Sequence, residues 1–264
     1  MGKIIGVISL KGGVGKTSVV GALGAALAGF NKRVLLVDAN FSAPNLGLHF
    51  NIVDPEVTLH HVLDRTANIG QAIYKIDNLD ILPASIFNNS NINYLKLRDH
   101  LSPLKRKYDY ILVDSSPTLG DETLAVMLAS DEIFVVTTPD HPTMSTTLKS
   151  VKLAKQRGTP ITGLVINKVH NKNFEIPTGH VEDTAEVPVM AVIPHDVNVL
   201  RALSEFTPST SYRPNSNGSV EFRKLAATLV GEKYEPFRVK RMFGWVNPPR
   251  EEINRVIFYK SVFE

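Results

Sequence analysis

The residues best equipped for chemistry lie at 9–18, which read SLKGGVGKTS. Gly12, Gly13 and Gly15 leave the backbone free to curl, so that successive N–H groups point inward at phosphate oxygens. A helix expected to begin near Lys16 adds the positive end of its dipole to the same spot. In such a loop the Lys16 ammonium reaches the β- and γ-phosphates of a nucleotide, and the Thr17 hydroxyl binds Mg²⁺. Val14 and Ser18 complete the run expected to contact the nucleotide. The loop sits between an apolar run, IIGVI, and an Ala/Gly/Leu-rich stretch, which is the strand–loop–helix setting this chemistry needs.

The general pattern G-x-x-x-x-G-K-[ST] fails here, because its first glycine would fall on Leu10. What fits is K-G-G-x-G-K-[ST], with an additional lysine, Lys11, at the head of the loop. By this motif the chain resembles the MinD/ParA family of deviant Walker A ATPases, and within it the archaeal-type MinD branch. The resemblance covers residues 1–235, and its landmarks come in the family's order: VLLVDANFSAPNLGL, LDILPAS, DYILVDSSPTLGDETLAVMLASDEIFVVTTPD, LVINK and VIPHDVNVLRA. It implies ATP and Mg²⁺ as cofactors and hydrolysis to ADP and phosphate. It also implies an ATP-dependent sandwich homodimer in which Lys11 crosses the interface and touches the phosphates bound by the partner subunit. By the same resemblance Asp38 lies near Mg²⁺ and the attacking water, and Asp114 holds Mg²⁺ through water. Asn167 then reads the adenine edge, and Pro194 and Asp196 lie on the loop flanking the base.

One departure bears on turnover. MinD relatives carry D-x-D where this chain has Asp38-Ala39-Asn40, and the second aspartate is implicated in hydrolysis. Asn40 can orient a water by hydrogen bonding, but it accepts no proton and adds no negative charge. With Lys11, Lys16, Asp38 and Asn40 as the catalytic positions, this substitution points to slow hydrolysis and a long-lived ATP state.

These residues need a scaffold. Apolar runs are expected as strands at Lys3–Ser9, Arg33–Asp38, Leu79–Leu82, Asp109–Asp114, Glu132–Thr138, Thr162–Asn167 and Val189–Ile193. Several, such as VLLVD and ILVD, are continuously apolar, as strands buried on both faces of a parallel sheet must be. Helix candidates fall between them at Ser18–Phe30, Thr123–Ala129 and Met144–Arg157. The expected architecture is a doubly wound α/β domain over residues 1–235, with ligands at the carboxyl ends of the strands. A helix at Phe222–Leu229, stopped by Gly231, closes it.

The 264 residues include no cysteine, which excludes disulfides and cysteine-ligated metal clusters and suits a reducing cytoplasm. The opening MGKIIGVISL reads as a first strand and not as a signal peptide. Residues 1–235 carry 23 basic and 23 acidic side chains, whereas residues 236–264 carry six and three. A neutral body with a basic tail disfavours DNA as the main partner. In the tail, Val239, Met242, Phe243 and Val246 cluster at helical spacing, with Lys240 and Arg241 opposite and Trp245 at one flank. PFRVKRMFGW resembles the membrane-targeting helix that ends MinD proteins, so an anionic membrane surface is one expected partner. The tail continues with further apolar residues to 264, and packing on the body or in a dimer is its other expected destination. The expected localisation is therefore cytoplasmic, with peripheral attachment to the inner face of the membrane. An activating or cargo protein completes the set of partners.

Overall fold

The computed structural model describes residues 1–87 and 92–235. The expected amphipathic helix of Val239, Lys240, Arg241, Met242, Phe243, Trp245 and Val246 lies outside the described residues.

The continuously apolar runs become the strands of one sheet: β1 (Lys3–Ile8), β2 (Val34–Ala39), β3 (Tyr74–Ile76), β4 (Leu79–Leu82), β5 (Tyr110–Ser115), β6 (Glu132–Thr137), β7 (Ile161–Val169) and β8 (Val189–Pro194). Their order is β3-β4-β2-β5-β1-β6-β7-β8, parallel except for the β3–β4 hairpin at one edge. The chain leaves β1 toward β2 on one side and later returns to β6 on the other. The crevice for a ligand therefore opens at the carboxyl end of β1, where the winding reverses.

The helices are α1 (Lys16–Ala28), α2 (Leu59–Leu63), α3 (Leu97–Leu101), α4 (Asp121–Ala129), α5 (His141–Arg157), α6 (Thr178–Ala185), α7 (Val197–Ser204), α8 (Ser209–Tyr212) and α9 (Asn217–Val230). Side chains alternate across the strands, so two cores form. Ile5, Val7, Leu36, Leu112 and Phe134 face α1 and α9, while Ile4, Ile8, Leu35, Val37 and Val113 face α2 to α6. Helix α1 is buried almost all round, which explains its lack of a polar face. At Gly24 an added Cβ would lie 2.5 Å from Leu36 Cδ2, so glycine there lets the helix pack on β2 without displacing the Leu36 side chain.

The doubly wound α/β expectation is confirmed. The helices begin earlier than their apolar periodicity implied: α4 at Asp121, α5 at His141 and α9 at Asn217. Their first turns are polar and carry no periodic signal, and side-chain caps start two of them. Asp140 accepts from Thr143 N at 2.9 Å for α5, and Ser216 Oγ accepts from Ser219 N at 3.3 Å for α9. Gly231 closes α9 in the left-handed conformation, as expected for a stop.

Candidate functional site

The loop from Ser9 to Gly15 leaves β1 at the crevice, with Gly13 and Gly15 at φ values of 78° and 91°. Both lie in the left-handed region, where a β-carbon would strain the backbone. A Cβ on Gly15 would also sit 2.5 Å from Asn167 Nδ2. The Asn167 amide donates to Val14 O at 2.8 Å, and Lys168 Nζ donates to Gly13 O at 2.6 Å. Strand β7 thus braces the loop from outside. Val14 is buried, while Gly12 and Gly13 are exposed and leave their N–H groups accessible.

Lys16 and Thr17 open α1 beneath this loop. Burial lowers the Lys16 pKa and the charge of Asp114 opposes that shift, so an anion arriving beside it would favour the ammonium form. The Thr17 hydroxyl has two acceptors, Asp114 Oδ2 at 2.5 Å and Asn45 Oδ1 at 2.8 Å. Ser18 turns to a small cavity shared with His49, Phe50, Ala202 and Leu203.

Asp38 and Asp114 are register partners at the ends of adjacent strands, both fully buried. The Asp38 carboxylate accepts from the backbone N–H groups of Asn40 (3.1 Å), Asn45 (3.0 Å) and Leu46 (2.9 Å), and so clamps the 40–46 loop. Burial pushes both carboxyls upward, and the charge of Asp114 adds to the effect on Asp38. The Thr17 hydroxyl and the Lys16 charge hold Asp114 back. A cation placed here would relieve the repulsion.

The donor set fits Mg²⁺. Asp114 Oδ1 is buried with no hydrogen-bond partner, and the Thr17 hydroxyl stands beside the same carboxylate, so hard oxygens converge. Among the described residues, no group of three or more His, Asp or Glu could hold a metal by protein alone. Thr17 and Asp114 would hold Mg²⁺, and its charge would neutralise phosphate oxygens as they lose a bond.

Asn40 is buried on the same loop. Its Nδ2 donates to Ala43 O at 2.6 Å, which fixes the amide's orientation and leaves Oδ1 with no partner. Lys11 reaches the start of α5, where Nζ lies 3.2 Å from Asp140 Oδ1 and 2.5 Å from Thr143 Oγ1. Burial pushes the Asp140 carboxyl up, but hydrogen bonds from Thr138, Thr143 and Lys11 outweigh it and leave it below the usual carboxylate range.

Pro194 ends β8, near β7 and the loop brace. Asp196 caps α7, accepting from Asn198 N at 2.8 Å and Asn198 Nδ2 at 2.7 Å. The ring of His195 stacks on His170 with centroids 4.5 Å apart, tying the ends of β7 and β8 together. Asn45, Lys168, Asp140 and Thr143 join the site without a sequence expectation. Asn45, Lys168 and Asp140 fall within the landmark segments VLLVDANFSAPNLGL, LVINK and DYILVDSSPTLGDETLAVMLASDEIFVVTTPD, whereas Thr143 lies outside them.

A family model described as an AAA domain matches residues 2–161. An ATP-binding protein of Methanocaldococcus jannaschii is 33% identical over 248 residues, covering 92% of this chain and 93% of that protein. The septum site-determining protein MinD of Synechocystis is 29% identical, covering 88% and 91%. Among solved structures, the cell division ATPase MinD of Pyrococcus furiosus is 36% identical with a TM-score of 0.81, covering 86% of this chain and 97% of that one. MinD of Pyrococcus horikoshii complexed with Mg-ADP is 34% identical with a TM-score of 0.82, covering 87% and 96%.

Proposed function

Because the chain belongs to the MinD/ParA family of P-loop ATPases, we propose that it is an ATP-gated switch that positions a cell-division component or another cellular structure. Binding of ATP and Mg²⁺ closes a homodimer across the phosphate-loop face. The paired tails then hold the dimer on an anionic membrane.

The observation that carries this reading is Lys11. It stands at the rim of the loop, its side chain 37% exposed, bonded to Asp140 and Thr143 at the start of α5. An exposed pair of this kind is worth at most about 1 kcal/mol, so a partner's phosphates can draw the ammonium away at little cost. The tail supplies the second half of the switch. Burying four apolar side chains contributes roughly 6–10 kcal/mol gross, and ordering about ten residues costs a similar amount. One tail is marginal on its own, but two on a dimer bind by avidity.

The deciding experiment is co-sedimentation with anionic liposomes in ATP·Mg²⁺ and in ADP, using the full chain and a chain ending at Glu235. Pelleting only in ATP, lost on truncation, is the expected result. If neither chain pellets, the membrane part of this reading fails; DNA binding with a steep salt dependence would then favour the ParA-like alternative.

Asn40 sets the lifetime of the bound state. Its amide cannot accept the water's proton, so hydrolysis is slow and the ATP dimer persists. Asn40→Asp is expected to raise kcat by about tenfold or more at an unchanged KM, measured as phosphate release under saturating ATP. An unchanged kcat would mean that positioning alone limits the reaction.

A further inference from the structure

Five buried side-chain polar atoms lack a hydrogen-bond partner among the described residues, and three of them lie at or after the carboxyl ends of the adjacent strands β2 and β5. They are Asp114 Oδ1, Asn40 Oδ1 and Glu122 Oε2. All three are acceptors, and each costs free energy unless a donor or cation arrives. Asp114 Oδ1 has its explanation in Mg²⁺, but Glu122 has none in the chemistry described so far.

Glu122 is the second residue of α4, which follows β5 and Asp114, and it is 7% exposed. Its Oε1 accepts from the hydroxyl of Ser42. Ser42 belongs to the loop after β2, two residues beyond Asn40 and inside the turn closed by the Asn40–Ala43 hydrogen bond. The Phe41–Tyr94 ring pair, with centroids 4.8 Å apart, packs the same loop from outside. Burial raises the Tyr94 pKa and the Glu122 and Asp121 charges add to it, which places Glu122 within electrostatic reach of that packing. The two loops flanking the phosphate site are thus joined by one bond between side chains 80 residues apart.

We propose that Glu122, acting through Ser42, is a positioning residue for ATP hydrolysis: the Ser42–Glu122 bond holds the 40–46 loop so that the unpartnered Asn40 Oδ1 accepts a hydrogen bond from the attacking water. In the reaction the water oxygen bonds to the γ-phosphorus as the bond to the β–γ bridging oxygen breaks. The water's proton passes to a phosphate oxygen, because an amide cannot take it. Aim is therefore all that residue 40 supplies, and the latch fixes that aim. The inference rests on the ATPase reading but not on the membrane one.

The test is steady-state phosphate release by Ser42→Ala, Glu122→Ala and Glu122→Gln in the full chain, each also made in the Asn40→Asp background. Ser42→Ala and Glu122→Ala are expected to lower kcat about tenfold with KM for ATP within about threefold. Glu122→Gln, whose Oε1 still accepts from Ser42, is expected to retain most of kcat. With Asp at 40, whose charge itself attracts and orients water, both losses should shrink to about threefold or less. Equal losses in both backgrounds would reveal a merely structural role, and a loss in Glu122→Gln as large as in Glu122→Ala would mean the carboxylate acts directly; either result overturns the proposal. If the parent chain hydrolyses ATP and Ser42→Ala matches it, the latch alone fails. If the parent hydrolyses no ATP, the ATPase reading falls and the latch with it.

Discussion

Lys16→Ala is expected to weaken ATP·Mg²⁺ binding at least about 100-fold in isothermal titration calorimetry, which corresponds to about 2.8 kcal/mol. Lys16 is 7% exposed at the start of α1, under a loop whose Gly13 and Gly15 take the left-handed conformation. A charge-assisted hydrogen bond in such a setting contributes about 1.5–3 kcal/mol, and the lysine has two phosphates to serve. Removing it also strips a positive charge that offsets the buried Asp114 carboxylate, the register partner of Asp38, and leaves Mg²⁺ alone to compensate the carboxylates against the triphosphate. The unliganded protein should tolerate the change, since burial already disfavours the charged lysine. A melting temperature within a few degrees of the parent would separate lost binding from lost folding. Unchanged affinity would mean that the phosphates bind elsewhere.

Lys11→Ala should act differently. Its Nζ bonds the cap of α5 in one protomer, on a half-exposed ion pair worth little to stability. ATP affinity of the monomer is therefore expected to stay within about threefold of the parent. Light scattering after size exclusion should nevertheless show a monomer in ATP where the parent shows a dimer. Phosphate release should fall about 10³-fold, the lower end of what a cationic group supplied in trans contributes to phosphoryl transfer. An ATP-dimer in the variant would remove Lys11 from the interface.

The parts legible in the sequence are those whose cause is local. Gly-Lys-Thr after an apolar run requires only the loop's own backbone, and β1, β2, β5 and β6 announce themselves because burial on both faces demands an unbroken apolar run. Strand β3 carries no such run: it has three residues and is half-buried, and the hairpin joining it to β4 turns on Asp77 at a φ of 51°. Helices α2, α3 and α8 are too short to establish a period. Within the site, the unreadable contacts are those made across long stretches of chain. Lys11 finds Asp140 and Ser42 finds Glu122 because four parallel strands bring distant loops to one crevice, and no spacing records that. Asp196 shows the same limit in another way. Its place beside Pro194 was readable, but its work as the cap of α7 depends on how the chain turns there.

The place of β1 in the sheet governs when this protein can acquire its function during synthesis. β1 pairs not with β2 but with β5 and β6, Lys3 opposite Tyr110 and Ile8 opposite Val135. At ribosomal speeds of about 5–20 residues per second, those neighbours emerge on the order of ten seconds after β1 itself. Until then IIGVI and the apolar α1 have no sheet to enter, and they present a sticky surface of the kind that chaperones shield. Such long-range pairing also predicts slow refolding. The loop at 9–15 precedes its supports in the chain, and it can be organised only after those supports arrive.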